Sequence, residues 1–281
     1  MSVITLDQLA VMSVQYVQYT FDYFLDSMDR CGIHNIDLWG GSPHFCRLDY
    51  PWGPAAARRI RELRRQIEDR GMKVVIYTPE TLGYPFSYSS PDRALRDRTL
   101  DYMEASMEDA LEFGTDKLFL NTGCHPRNLN REDGWDSLQQ LAQRAERMGV
   151  TLMLEQLQPY ESNLLLNLED MKQMLHQVDS PALATCVDLV AMEVAGDNLE
   201  SFYQQLGNKI QWIHYSDSHH EIVGSGNFGR KKLEGYIRTL EHFGYSGCID
   251  LEINDSIYWE DPHTSIQQSV EYLRNFLPER Q

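Results

Sequence analysis

The feature that most constrains this fold is a regular alternation of short apolar runs with longer amphipathic segments along all 281 residues. Runs such as residues 73–77 and 151–155 contain unbroken apolar stretches (Val-Val-Ile and Leu-Met-Leu), which are typical of strands buried on both faces. The segments between these runs, such as residues 91–113, have the pattern of amphipathic helices. Strands that alternate with helices in this way predict a parallel sheet.

Eight strands are predicted, and eight parallel strands are the number that closes a small barrel. In chain order they cover residues 11–16, 35–39, 73–77, 117–121, 151–155, 183–188, 210–214 and 248–252. Helices are predicted between them, among others over residues 55–70, 91–113, 134–148 and 168–177. The sequence therefore predicts an α/β fold, a (β/α)8 TIM barrel formed by a single domain over residues 1–281. An open doubly wound sheet is the competing architecture, but no G-x-G-x-x-G motif follows the first strand.

Charge and cysteine content narrow the range of partners and compartments. The formal net charge is -17, so nucleic acid and anionic membrane surfaces are disfavoured as partners. The chain has five cysteines and no C-x-x-C pair, which favours reduced thiols in a cytoplasmic protein over a disulfide framework. We expect neither a signal peptide nor a transmembrane helix, because no basic-then-apolar leader and no run of 18 apolar residues are present.

Four consecutive predicted strands each end on a side chain that can bind a metal. These residues are Glu155, Asp188, His214 and Glu252. Each alone is compatible with an ordinary polar residue at a strand end, but active sites of such barrels gather at the carboxyl ends of the strands. The four residues together therefore predict one shared divalent metal ion. Three carboxylates and one imidazole suit Mn²⁺ best, with Co²⁺, Mg²⁺ and Ni²⁺ as alternatives.

A metal in such a site can hold the carbonyl and a neighbouring hydroxyl of a ketose. It then stabilises the enediolate that forms when the carbon bearing that hydroxyl loses a proton. Glu155 and Glu252 come from strands separated by two others, so they could face opposite sides of the substrate. One glutamate would remove the proton and the other would return it to the opposite face, which is an epimerisation.

Three longer motifs accompany the metal residues. They are residues 38–44 (Leu-Trp-Gly-Gly-Ser-Pro-His), residues 77–85 (Tyr-Thr-Pro-Glu-Thr-Leu-Gly-Tyr-Pro) and residues 154–163 (Leu-Glu-Gln-Leu-Gln-Pro-Tyr-Glu-Ser-Asn). With these motifs the chain resembles the sugar-phosphate isomerase/epimerase superfamily of xylose isomerase-like TIM barrels. Over nearly its whole length it most resembles the fructoselysine 3-epimerase family, which is related to the D-tagatose and D-allulose 3-epimerases.

This resemblance implies a metal-dependent ketose 3-epimerase that interconverts fructoselysine and its C3 epimer, psicoselysine, through a metal-bound cis-enediolate. Glu155 and Glu252 would be both metal ligands and the catalytic pair, whereas Asp188 and His214 would be ligands only. The resemblance also implies that Glu161 contacts substrate oxygens.

Two positions depart from the pattern of other ketose 3-epimerases. Ala191 stands where they have a histidine, and His220 stands where they have an arginine. These departures favour a ketose with an amine-linked substituent over free fructose or tagatose. Further candidate substrate contacts lie in loops after predicted strand ends, and these are Trp39, His44, Tyr84, Asp217 and His220. The loop over residues 215–230 contains Gly-Ser-Gly and is a candidate lid.

Several alternative functions remain open at the level of the sequence. A free-ketohexose 3-epimerase, another sugar isomerase and a dehydratase all begin with the same proton abstraction. A phosphodiesterase like endonuclease IV is disfavoured by the acidic composition and the few histidines. A non-enzymatic sugar-binding barrel is the remaining alternative. The expected partner is a small-molecule sugar, and a homodimer or homotetramer is expected by analogy alone.

Overall fold

A computed structural model describes residues 3–50, 53–83, 85–123, 131–162 and 164–279 of the chain. Its eight strands are all parallel and pair in sequence order, and the first also pairs with the last. The strands are β1 Leu9–Met12, β2 Asn35–Gly40, β3 Lys73–Pro79, β4 Lys117–Leu120, β5 Thr151–Glu155, β6 Leu183–Asp188, β7 Ile210–His214 and β8 Ile249–Leu251. This closed barrel confirms the predicted (β/α)8 fold.

Helices surround the barrel and connect its strands. Within the described residues they are α1 Phe21–Cys31, α2 Gly53–Glu68, α3 Arg93–Phe113, α4 Arg131–Met148, α5 Leu168–Val178, α6 Leu189–Val194, α7 Leu199–Leu206, α8 Gly229–His242 and α9 Pro262–Leu273. Local sequence sets their ends. The Thr20 hydroxyl accepts a hydrogen bond from the Tyr23 amide and so caps the start of α1. Gly32 ends the same helix with a left-handed backbone that glycine adopts at little cost.

The first and last strands differ from their predicted bounds. β1 covers Leu9–Met12 instead of residues 11–16, and Ser13–Tyr16 forms a short 3₁₀ helix. Ser13, Gln15 and Tyr16 of this short helix are buried, and the alternation Ser-Val-Gln-Tyr is compatible with a continued strand, so the sequence pattern did not separate the two. β8 ends at Leu251, so Glu252 lies one residue beyond the strand.

The direction of the side chains in the strands places the candidate site. A small cluster of buried residues fills the barrel interior, and it comprises Ala10, Ile76, Phe119, Met153, Ala184, Cys186 and Trp212. Because successive strand residues point to opposite faces, the residue two positions further along also points inward. Glu155, Asp188 and His214 follow Met153, Cys186 and Trp212 at this spacing. The predicted ligands therefore form the uppermost layer of the barrel interior.

Two predictions about composition can be compared with the described residues. The four described cysteines, Cys31, Cys46, Cys186 and Cys248, carry free thiols, whereas Cys124 lies outside the described residues. Among the helices in the described part of the chain, none combines the length and the apolar character needed to cross a membrane.

Candidate metal centre and active site

The side chains of Glu155, Asp188, His214 and Glu252 converge at the carboxyl ends of β5 to β8. Each offers one ligand atom, and these four atoms all lie within 4.8 Å of one another. His214 Nδ1 is 2.6 Å from Glu155 Oε1 and 3.0 Å from Glu252 Oε2. Three carboxylates held this close together out of water need a positive charge among them. The donor set and its geometry therefore fit a divalent cation.

Burial and mutual contact shift the proton affinities of these groups. Burial raises the pKa of the Glu155 carboxyl to about 8, although the neighbouring His214 imidazole lowers it. Burial alone would lower the pKa of His214, but the surrounding Cys186, Glu252 and Glu155 raise it well above its usual range. Glu155 and His214 thus hold protons that a bound metal ion would displace.

His220 lies beside this cluster and contacts two of its carboxylates. Its Nε2 is 2.9 Å from Asp188 Oδ2 and 3.5 Å from Glu252 Oε2. Burial would raise the pKa of Asp188, but His220 lowers it to about 2, and the pKa of His220 rises to about 10 because of Asp188 and Glu252, against the effect of burial. His219 and His220 both have left-handed backbones, with φ of 60° and 57°, which non-glycine residues adopt at a cost.

A cavity of about 360 Å³ opens above the cluster, and its lining is strongly acidic. Besides three of the predicted ligands, the acidic side chains of Glu80, Glu161 and Asp255 line it. Within the described residues, no lysine or arginine is part of the lining. This size is within the range of pockets for small ligands, and the charge disfavours a ligand with a net negative charge, such as a sugar phosphate.

Comparison with known proteins agrees with this architecture. The family described as xylose isomerase-like TIM barrel matches residues 25–276. The chain belongs to this family. Among xylose isomerase-like relatives, the fructoselysine 3-epimerases of Escherichia coli and Shigella flexneri are each 30% identical to it over 257 residues, which is 88% of this chain and 90% of theirs.

Another xylose isomerase-like relative, the L-ribulose 3-epimerase of Mesorhizobium japonicum, is 25% identical over 250 residues, which is 80% of this chain and 81% of that protein. The crystal structure of a D-psicose 3-epimerase with D-tagatose from Clostridium cellulolyticum superposes with a TM-score of 0.76 at 15% identity, covering 96% of this chain and 99% of that one. The names of these relatives confirm the prediction of an enzyme of the carbohydrate epimerase class.

Three of the predicted substrate contacts line the cavity of this xylose isomerase-like barrel, namely Trp39, Glu161 and His220. The Trp39 indole Nε1 donates to Glu80 Oε2 at 3.1 Å, and the Glu161 carboxylate accepts from the Gln158 amide. A Cβ atom at Gly41 would lie 2.0 Å from the Trp39 ring, so only glycine leaves room for this indole. Trp39 is therefore held at the cavity by Glu80, which follows β3, and Glu161 is held by the backbone of its own loop.

The remaining predicted contacts are placed differently. The Asp217 carboxylate is buried and accepts hydrogen bonds from the amides of Ser218, Gly224 and Phe228. It therefore organises the 215–230 loop and lies outside the cavity lining. Tyr84 lies outside the described residues.

His44 is packed in the core instead of lining the cavity. It is 2% exposed, its ring lies against Phe21 and Phe24, and its Nε2 is 3.2 Å from the Tyr19 carbonyl oxygen. The sequence placed it after a strand end but could not show that the loop folds back onto α1. Burial lowers the pKa of His44 to about 4.

We expect this buried imidazole to destabilise the fold in acid. The unfolded chain binds the His44 proton near pH 6.5, whereas the folded chain does so near pH 4, so stability is complete above pH 6.5 and is lost as the pH falls between these values. The loss is about 3 kcal/mol, as an order of magnitude for such a shift. The free energy of unfolding, measured with denaturant at several pH values, should depend less steeply on pH in the His44→Phe variant than in the wild type. His34 is exposed, so the His34→Phe variant should keep the pH dependence of the wild type. If the His44→Phe variant also kept it, the assignment of the acid sensitivity to His44 would be contradicted.

Sequence reasoning missed two buried acids directly below the cluster, Asp37 on β2 and Asp250 on β8. Both are fully buried, and burial raises the pKa of each. The signal was present, because each is a lone charge inside an otherwise apolar strand (Ile-Asp-Leu). Such a charge is rarely buried without a partner, which marks these positions for attention.

Proposed function

We propose that this protein is a metal-dependent ketose 3-epimerase, with fructoselysine and its C3 epimer as substrate and product. The observation that carries the proposal is the convergence of two glutamates, an aspartate and a histidine within 4.8 Å at the floor of an acidic cavity. The similarity to fructoselysine 3-epimerases over 88% of the chain supports the reaction and the substrate.

In this proposal Glu155, Asp188, His214 and Glu252 hold the metal, for which the oxygen-rich donor set favours Mn²⁺. A divalent cation there would supply positive charge to two neighbouring oxygens of a ketose. Glu155 and Glu252 approach the same imidazole nitrogen from β5 and from the end of β8. One carboxylate would take the C3 proton and the other, in its protonated form, would give a proton to the opposite face.

The remaining cavity residues would bind and orient the sugar. Glu161 offers a carboxylate for sugar hydroxyls, and His220 offers an imidazolium between Asp188 and the cavity. The Trp39 ring would provide an apolar surface against the sugar carbons. The aliphatic side chains in part of the lining, such as Val14, Leu82 and Leu157, and the burial of the ligands would limit the access of water to a reactive intermediate.

The acidic lining supports a substrate that carries an amine. An ammonium group in the cavity would lie among Glu80, Glu161 and Asp255. The described lining has no lysine or arginine, and the His220 imidazolium is paired with Asp188. The Glu80 carboxylate is fixed by the Trp39 indole and by the Leu82 amide, at 3.1 and 2.8 Å. Glu80 is therefore the most rigidly placed of these three acids and the best placed to bind the amine-linked substituent of the ketose.

We expect kcat/KM for fructoselysine to exceed that for free fructose by at least about tenfold, the effect of one charge-assisted contact. Glu80→Gln should narrow this preference through KM for fructoselysine and leave the values for fructose nearly unchanged. Steady-state kinetics with both sugars measures the two effects, and Glu132→Gln, an exposed change on α4, serves as the control. Equal kcat/KM for both sugars in the wild type would contradict the proposed substrate but not the reaction class.

A further inference from the structure

A second group of polar side chains is buried beneath the proposed ligands. Asp37 and Asp250 lie on the two strands that flank β1, and both are 0% exposed. Thr78 Oγ1 donates to Asp37 Oδ1 at 2.6 Å, and Trp212 Nε1 donates to Asp250 Oδ2 at 3.1 Å. Each carboxylate of this buried Asp pair is thus held by one donor inside the barrel.

His214 lies between the buried Asp pair and the proposed ligands. Its Nδ1 faces Glu155 and Glu252, and its Nε2 faces the opposite way, 3.7 Å from Asp250 Oδ2 and 4.0 Å from Asp37 Oδ2. Nε2 is buried without a hydrogen-bond partner, and so are Asp37 Oδ2 and Asp250 Oδ1. One side-chain atom from each of His214, Asp37 and Asp250 lies within 4.8 Å of the other two, so the three groups share a small region of the barrel interior.

The chemistry of imidazole connects these atoms to metal binding. A neutral imidazole carries one N–H and one lone pair, on opposite nitrogens. Nδ1 can act as a ligand only with its lone pair free, which places the hydrogen on Nε2. An ionised carboxylate accepts hydrogen bonds and cannot donate them, so an acid below Nε2 selects this tautomer.

We propose that Asp250, with Asp37 beside it, is a positioning residue that accepts the Nε2 hydrogen of His214 and thereby directs Nδ1 towards the metal. The proposal rests on the proposed function only in taking His214 as a ligand. The present separation of 3.7 Å is longer than a hydrogen bond, and a ring shift of about 1 Å completes the contact. Trp212 and Thr78 keep the two carboxylates from turning away from the ring.

The test measures Zn²⁺ binding and the histidine tautomer in the full-length protein without any sugar. Competition with a chelator gives the Kd, and ¹⁵N-histidine spectra of the Zn²⁺-loaded protein report which ring nitrogen carries the hydrogen. Asp250→Asn should raise the Kd by about 10- to 100-fold, the usual effect of losing a partner behind a metal ligand. It should also reduce the signal of the Nε2-protonated form, which is assigned with His214→Gln.

Asp109→Asn is the matched control, because Asp109 is also a buried acid but pairs with Arg47 on the outside of the barrel, at 3.2 Å. It should leave the Zn²⁺ Kd within about twofold of the wild-type value, because the change lies outside the barrel interior and away from the His214 ring. Should Asp250→Asn fail to fold, Asp37→Asn provides the same readout with a smaller loss in the same direction.

Wild-type Zn²⁺ affinity and tautomer in both Asp250→Asn and Asp37→Asn would overturn the proposal. An equal loss of affinity in Asp109→Asn would overturn it as well, since the effect would then be one of general stability. Because no sugar is present, these outcomes are independent of whether the protein epimerises fructoselysine. A failure of the proposed reaction would leave the metal-binding measurement intact.

Discussion

Glu252→Gln is expected to lower the rate of C3 epimerisation by about 10²- to 10⁴-fold, the usual contribution of a positioned acid or base. The amide has nearly the same shape but neither accepts nor delivers the C3 proton. The Glu252 side chain is 13% exposed at the floor of the cavity, so the substitution should leave the barrel folded. The rate of epimerisation is measured from the appearance of the second C3 epimer in proton NMR spectra, at a metal concentration that saturates the variant.

The same carboxyl-to-amide change in the loop after β8 provides the control for this prediction. Glu260 is exposed and outside the cavity lining, so Glu260→Gln should keep the wild-type rate. Glu155→Gln should be as defective as Glu252→Gln, because a two-base mechanism needs both groups. Near-normal epimerisation by metal-saturated Glu252→Gln would exclude the two-glutamate mechanism.

Removal of divalent metal is expected to abolish epimerisation, and Mn²⁺ should restore it. His214→Gln should weaken Mn²⁺ binding by more than about 100-fold, beyond the loss typical of an outer partner, because it would delete a proposed direct ligand. The wild-type melting temperature should rise with Mn²⁺ concentration, since the ion binds the folded chain preferentially. Calorimetric titration and thermal melts measure both effects.

The affinity for Mn²⁺ should also depend on pH in a defined direction. The pKa of Glu155 is raised to about 8 and that of His214 lies well above its usual range, so both hold protons when the site is empty of metal. Binding must release these protons, so the Kd rises as the pH falls below about 8, by at most about tenfold per pH unit for each proton. A Kd that is independent of pH between 6 and 8 would contradict this assignment of the ligands.

The barrel and the four-residue cluster could be predicted because their signals are local. Each strand from β5 to β7 ends on its site residue, and the barrel topology alone brings these strand ends together. Glu252 was found in the same way, although β8 is shorter than its apolar run. The bounds of β1 were wrong because the alternation of polar and larger residues in Ser13–Tyr16, which forms a 3₁₀ helix, is also compatible with a strand.

The substrate contacts could be predicted only in part, because the conformation of a loop depends on its packing against residues that are distant in sequence. His44 and Asp217 have the residue types and positions of ligand-binding groups, yet one packs against α1 and the other accepts the amides of its own loop. Nothing within either segment distinguishes these arrangements from an open loop. The buried Asp pair shows the reverse case, in which two single charges 213 positions apart in sequence meet only once the barrel closes.

The central claim, a metal-dependent transfer of the C3 proton between two glutamates, is tested most directly by isotope incorporation. The Mn²⁺-loaded protein is incubated with fructoselysine in D₂O, and the deuterium content at C3 is measured at early times in substrate and product. The account predicts a product that carries deuterium at C3, whereas the remaining substrate still carries mostly ordinary hydrogen at C3. This follows because separate groups take and return the proton. A product epimer that keeps its original C3 proton, or no exchange at C3 of any ketose by the metal-loaded protein, would contradict it.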